Sequence, residues 1–167
     1  MEKKRCWGDG DTLMEKYHDD EWGVPVADDN KLFERFVLEM FQAGLSWRTI
    51  LHKREAFRMV FKNFSIKKIA KFNDDDIKRM LNDKSIIRNE LKIKSVVHNA
   101  RAIIELRKNF GSFNLWLESL DLNKKDVDKQ FKAHFKFVGP EIVKSFLQSI
   151  GKVETYHSKN CWKYKHV

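Results

Sequence analysis

Proline and glycine are scarce in this chain, with two and seven copies in 167 residues. That argues against an all-β or low-complexity protein. No segment alternates apolar and polar residues convincingly, which argues against a sandwich or barrel of strands. Two cysteines, Cys6 and Cys161, are too few for a disulfide framework. No apolar run reaches the roughly 18 residues that cross a bilayer, so no membrane partner is expected. The opening MEKKRCWGDGD lacks the apolar core of a leader peptide, and a cytoplasmic protein with reduced thiols is the expectation. No repeat of fixed period is present.

What is abundant is apolar and aromatic. Hydrophobic residues make up 42%, with 13 Phe and 5 Trp, enough for a substantial core. The length suits one domain spanning 1–167, or two closely packed helical lobes. A monomer is the default. Net charge is +9, unevenly spread. Residues 129–167 hold eight lysines and two acids, Glu141 and Glu154, a net of +6. Such a surface suits a polyanion, and equally a solvated lysine face.

Periodicity and caps predict an all-α fold. Thr12 to Tyr17 reads as a short helix and His18 to Pro25 as a loop. A helix after the caps at 28–30 ends near Gly44; Ser46 opens another over 47–61. Ser65 and Asp74 each start a short helix. A longer one runs from about Arg88 to Lys108, with Ile93, Val96, Val97, Ala100, Ile103 and Ile104 on its apolar face, and stops at Gly111. Ser112 to Leu120 and Asp126 to Phe135 are helical, and residues 121–125 form a charged link. Pro140, at a first helical position, opens a last helix to Ile150. The tail, 152–167, is irregular and basic.

Phe33 to Trp47, FERFVLEMFQAGLSW, carries the central anomaly. Its helix is apolar nearly all the way round, yet Glu39 sits in the middle. A carboxylate there must reach solvent, pair with a charge, or face a polar ligand. Trp7, Tyr17, Trp22 and Trp47 fall beside this helix. Each alone suits core packing. Together with one carboxylate they suit a flat cationic heterocycle, stacked on its faces and hydrogen-bonded at its edge. A base flipped out of DNA is such a ligand.

Two further constellations stand out. Cys6 and His18 lie near one end, His157 and Cys161 near the other, the last pair spaced H-x3-C. Thiolate and imidazole are preferred donors for tetrahedral zinc, although unrelated thiols and surface histidines would look the same. The stretch from Phe135 to Pro140 joins two amphipathic helices in a helix-hairpin-helix layout, about 126–150. There the free N–H groups at Val138 and Gly139 could hold a DNA phosphate, with Lys136 and Lys144 adding charge. The usual turn has two glycines; here Phe137 replaces the first.

Cys6, Tyr17-His18-Asp19-Asp20-Glu21-Trp22-Gly23-Val24-Pro25, Leu38-Glu39, Gln42-Ala43-Gly44-Leu45-Ser46-Trp47, Ile86-Ile87-Arg88, Lys92-Ile93, Asn99-Ala100-Arg101, the turn at 135–140 and His157-x3-Cys161 together resemble the type I DNA-3-methyladenine glycosylase family. The resemblance covers nearly the whole chain. It implies a helix-hairpin-helix glycosylase fold and hydrolysis of the N-glycosidic bond of 3-methyladenine in alkylated double-stranded DNA, with the free base as product and no lyase step. It further implies one structural zinc per chain on Cys6, His18, His157 and Cys161. By the same resemblance Glu39 would be the catalytic-site carboxylate that reads the flipped base, within a pocket of Tyr17, Trp22, Trp47 and Trp7. Gly44 and Leu45 probe the duplex; Lys136, Val138, Gly139 and Lys144 face its backbone. Glu154 stands near where related enzymes carry a catalytic Asp, but is assigned no catalysis. Two positions depart from the family pattern: Cys6 and Trp7 are adjacent, and Met14 replaces a pocket tyrosine. The competing class is a non-catalytic, zinc-stabilised helical module that binds damaged DNA or modified bases.

Overall fold

The computed structural model describes residues 3–123 and 126–164. The expected link at 121–125 and tail at 152–167 each run beyond the described residues. Within them the chain is helical and contains no strand, and no helix is long and apolar enough to cross a membrane.

Helix α1 (Thr12–Lys16) begins where Asp11 accepts from the amides of Leu13 and Met14. It runs directly into a π-helical turn, Tyr17–Glu21, where a loop was expected. The Trp22 amide reaches back to the Tyr17 carbonyl at 2.8 Å. This wider turn buries both Tyr17 and His18. Such turns occur often at functional sites.

Helix α2 (Asp29–Gln42) starts at Asp28, whose side chain accepts from the Lys31 amide, and is buried from Leu32 to Phe41 without interruption. It packs against the elements that follow: α3 (Trp47–His52), α5 (Ile66–Ile69), α7 (Glu90–Phe110), α8 (Phe113–Glu118) and α10 (Pro140–Ser149). Phe36 sits at ring-to-ring distances of 5.0–6.4 Å from Phe113, Phe131, Phe135 and Phe146. Gly44 ends the helix in the left-handed region at φ +80°, a conformation open to glycine at little steric cost.

The single helix expected over 47–61 is divided. Lys53 breaks it into α3 and α4 (Arg54–Val60), and the break sets Arg54 against Glu21 and Glu34. A left-handed turn at Lys62–Phe64 follows. Helix α6 (Asp74–Asn82) is capped by Asn73 rather than Asp74, with Asp76 reciprocating in a capping box. Gly111, at φ +89°, terminates α7 as expected.

Helix α9 (Val127–His134) and α10 are joined by the turn 135–139. Phe137 holds φ +56°, the left-handed region that a glycine reaches at lower steric cost. A buried asparagine of α7 fixes it: the Asn99 side-chain oxygen accepts from the Lys136 amide at 2.8 Å and its nitrogen donates to the Lys136 carbonyl at 3.0 Å. Seven residues earlier on the same helix, Lys92 donates to the carbonyls of Phe41 and Ala43, both at 2.8 Å. One helix thereby sets the end of α2 and the α9–α10 turn. Asn99→Leu removes both hydrogen bonds at the turn, and urea denaturation should show a loss of roughly 2–4 kcal/mol.

Candidate active site

A cavity of about 360 Å³ opens between the π turn, α2, α3 and α10. That volume falls within the ~300–1,000 Å³ of small-molecule sites. Tyr17, Trp7, Trp22 and Trp47 wall it, with Met14, Gln42, Ser145 and Gln148. The rings form a continuous series: Tyr17 to Trp47 at 5.0 Å, Trp7 to Tyr17 at 6.2 Å, and Trp7 edge-on to Trp22 at 5.2 Å.

Glu39 lines the same cavity. It is 7% exposed and has no hydrogen-bond or ion-pair partner among the described residues. Burial pushes its pKa up to about 8, opposed by the charge of Arg35 one turn earlier on α2. The other charges of the buried helix are answered internally. Glu34 accepts from Arg54 and Arg58 at 2.7 and 2.8 Å. Arg35 donates to Glu21 at 2.6 Å, and Arg54 holds both oxygens of Glu21 at 2.9 Å. A carboxyl thus faces an aromatic chamber with its hydrogen-bonding capacity unused.

Behind this chamber the two ends of the described chain meet. The donor atoms of Cys6, His18, His157 and Cys161 lie within 4.8 Å of one another. The sulfur-to-nitrogen distances are 3.1 and 3.5 Å from Cys6, and 3.5 and 3.4 Å from Cys161. A zinc tetrahedron with ordinary bond lengths has S···N edges of about 3.6 Å, so the donor set fits such an ion in number, chemistry and spacing. The Nδ1 of His18 stands 2.9 Å from Asp19. With the proton on that nitrogen, Nε2 is left free as a ligand atom. Asp19 also accepts from Arg5 and from the Trp162 indole, and the Arg5 hydrogen bonds hold its pKa well below the usual carboxylate range. Burial, and next the neighbouring Cys161, push the Cys6 pKa up. Two pocket walls rest on this cluster: Trp7 is edge-on to His18 at 4.9 Å, and Trp22 to His157 at 5.0 Å.

The pattern of methyladenine glycosylases matches residues 7–134. The chain belongs to this family. The match extends to whole relatives. DNA-3-methyladenine glycosylase 1 of Escherichia coli (strain K12) is 38% identical over 174 residues, covering 92% of this chain and 93% of its own. The DNA-3-methyladenine glycosylase of Haemophilus influenzae is 37% identical over 180 residues, 94% and 96% of the two chains. A crystal structure of a 3-methyladenine DNA glycosylase I superposes with a TM-score of 0.87 at 38% identity, covering 97% and 100%. The Staphylococcus aureus 3-methyladenine DNA glycosylase I, whose structure addresses 3-methyladenine recognition, gives 0.84 at 31%, covering 96% of both.

In this methyladenine glycosylase the residues singled out in the sequence fall into three places. Glu39, Tyr17, Trp7, Trp22 and Trp47 share the cavity; the four metal-donor residues share one cluster. Trp7 keeps its place in the wall although it directly follows Cys6, and Met14 packs beside Tyr17 and Leu51. The third group is split between two turns. Gly44 and Leu45 form an exposed turn, stiffened where Gln42 Nε2 donates to the Leu45 carbonyl at 2.9 Å. A Cβ at Gly44 would meet nothing within 4 Å, so the surface there is open. At the other turn Lys136 and Lys144 are exposed, but the Val138 side chain is buried at 9% exposure. Val138 can offer a ligand only its backbone. Among the described residues no side chain caps α10 at Gly139. Glu154 is exposed, does not line the cavity, and contributes its carbonyl to Gln148.

Several residues of the site escaped the sequence reading. Ser145 and Gln148 enter the cavity from α10, and only packing brings that helix there. Arg35 had a usable signal: it interrupts the apolar α2 just as Glu39 does. Lys92 and Asn99 are likewise polar positions on the apolar face of α7.

The raised Glu39 pKa has a consequence for stability. An unfolded glutamate releases its proton near 4.5, whereas the buried one releases it near 8. Between those values the folded chain holds the extra proton, so stability falls as pH rises across the window and levels off above it. Glu39→Gln imitates the protonated form. It should be nearly neutral at pH 4.5–5 and stabilising by roughly 2–4 kcal/mol at pH 9, measured by thermal melting at both pH values.

Proposed function

We propose that this chain is a monofunctional DNA-3-methyladenine glycosylase that hydrolyses the N-glycosidic bond of 3-methyladenine in alkylated double-stranded DNA. The observation that carries the reading is the buried Glu39, without a partner among the described residues, lining a cavity walled by Tyr17, Trp7, Trp22 and Trp47. Such a site suits one flat, positively charged base and suits phosphate or peptide poorly. The relatives support it, being named for that activity.

Methylation at N3 makes adenine a cation and a good leaving group, so the enzyme need not protonate it. The duplex approaches along two turns. The α9–α10 segment acts as a helix-hairpin-helix element whose uncapped N–H groups at Val138 and Gly139 hold a backbone phosphate, with Lys136 and Lys144 beside it. Gly44 and Leu45 probe the base stack. The extruded base stacks among the aromatic rings, and Glu39 accepts from its N6 amine. The cation draws Glu39 into its ionised form, releasing a proton at neutral pH. Water then attacks the anomeric carbon as the C–N bond breaks; the bonding pair goes to the base, which leaves as neutral 3-methyladenine, and the attacking water gives up one proton to solvent. No lysine Schiff base takes part.

Cys6, His18, His157 and Cys161 would hold one structural zinc, which neutralises two thiolates and fastens both ends of a single domain beneath Trp7 and Trp22. Four protein donors leave no coordination position for substrate. The chain is proposed to act as a cytoplasmic monomer.

Methylated DNA incubated with wild-type and Glu39→Gln protein tests the assignment. Release of 3-methyladenine should drop by at least about tenfold in the variant. In the wild type, kcat/KM should rise with pH through about 8, a limb missing from Glu39→Gln. Equal release by the two proteins would remove Glu39 from the mechanism. Elemental analysis should return about one zinc per chain, and Cys161→Ser should lose the metal together with several degrees of melting temperature.

A further inference from the structure

Tyr17 lines the cavity, and its hydroxyl is met by a buried arginine. The Arg35 Nη1 donates to the Tyr17 oxygen at 3.1 Å in a buried contact. The guanidinium also lies over the Tyr17 ring, 4.9 Å from its centre. Arg35 is itself immobilised. Its Nη2 donates to the Glu21 carboxylate at 2.6 Å and its Nη1 approaches the Glu21 carbonyl at 3.4 Å. Arg54, which pairs with both Glu21 and Glu34, supports the far side and lies 5.9 Å from the same ring.

A guanidinium has five donors and no acceptor. The Tyr17 hydroxyl can therefore only accept from Arg35, and its own proton must point away. Burial pushes the phenol pKa up, so that proton is present at any working pH. Tyr17 also lines the cavity that Glu39 lines.

We propose that Arg35 is a positioning residue: by occupying the acceptor side of the Tyr17 hydroxyl, it turns Tyr17 into a fixed hydrogen-bond donor toward the bound base. The proposal rests on the base-pocket reading of Tyr17. The pocket then presents one acceptor, the Glu39 carboxylate, and one donor, the Tyr17 hydroxyl. An adenine edge is complementary to that pair, because it offers an amine donor at N6 and an acceptor at N7. Replacing Arg35 leaves both Glu21 oxygens held by Arg54, so the ion-pair network survives its loss.

Two substitutions separate polarity from packing. Arg35→Lys keeps a head that can only donate. Arg35→Gln keeps a hydrogen bond but adds an acceptor, which lets the Tyr17 proton turn away from the cavity. Binding of free 3-methyladenine, followed by tryptophan fluorescence and equilibrium dialysis, is measured for wild type, both Arg35 variants, Tyr17→Phe, and the Arg35→Gln/Tyr17→Phe double variant. Tyr17→Phe and Arg35→Gln are each expected to weaken binding about tenfold. In the double variant the losses should not multiply, because they remove one and the same hydrogen bond. Arg35→Lys should stay within about threefold of wild type. Equal losses in Arg35→Lys and Arg35→Gln, fully multiplying losses in the double variant, or unaltered binding by Arg35→Gln would overturn the proposal. Should Arg35→Gln melt below the assay temperature, the same cycle with Arg35→Met decides by the same criterion of additivity. A Tyr17→Phe protein that binds as wild type would instead overturn the base-pocket reading of Tyr17, a result distinguishable from failure of the Arg35 role alone.

Discussion

Helix α2 is buried over ten consecutive residues, Leu32 to Phe41, and three of them carry charge. Charge within a helix so enclosed must be neutralised, because desolvation penalises an ion far more than a surface contact rewards it. Glu34 and Arg35 are answered by Arg54, Arg58 and Glu21. Among the described residues Glu39 has no hydrogen-bond or ion-pair partner, and only the nearby charge of Arg35 acts on it. Its carboxyl is held in an environment that favours the neutral form, next to a chamber lined with aromatic rings. The cationic base proposed for this cavity would supply the charge that the fold withholds.

The chamber depends on the chain ends as much as on α2. Trp7 and Trp22 lean on His18 and His157, so two walls of the cavity are positioned by the four-donor cluster. Gly23 and Gly151 make the same closure possible from another side. The Gly23 amide bonds the Ser149 carbonyl at 3.1 Å, and a Cβ on Gly151 would stand 2.7 Å from the Gly23 carbonyl oxygen. Metal binding proposed at the cluster would therefore act on the pocket through packing, with no ligand position directed at the base.

Helix α7 links the two turns proposed to meet DNA. Lys92 secures the end of α2 just before Gly44, and Asn99 secures the turn at Lys136. Two anchors seven residues apart on one rigid helix share a face and fix the separation of the turns. The exposed residues that would touch a duplex thus inherit their spacing from buried polar ones.

Local signals in the chain were enough to determine much of this protein. Helical period and caps gave the all-α class and most boundaries, because both depend on neighbours a few residues apart. The improbable Glu39, the aromatic residues around it and the Cys/His pairs were visible as chemistry out of place. Tertiary structure alone decided the rest. The break at Lys53 and the π turn at Tyr17–Glu21 answer to distant partners, Glu34 and the chain-end cluster respectively, and no local pattern encodes them. Ser145 and Gln148 join the cavity only because α10 packs on α2. Arg35 interrupts an apolar helix in the sequence, but only folding sets it against the hydroxyl of a tyrosine eighteen residues earlier in the chain. Sequence dictates which residues need a partner, and the packed chain decides which partner is within reach.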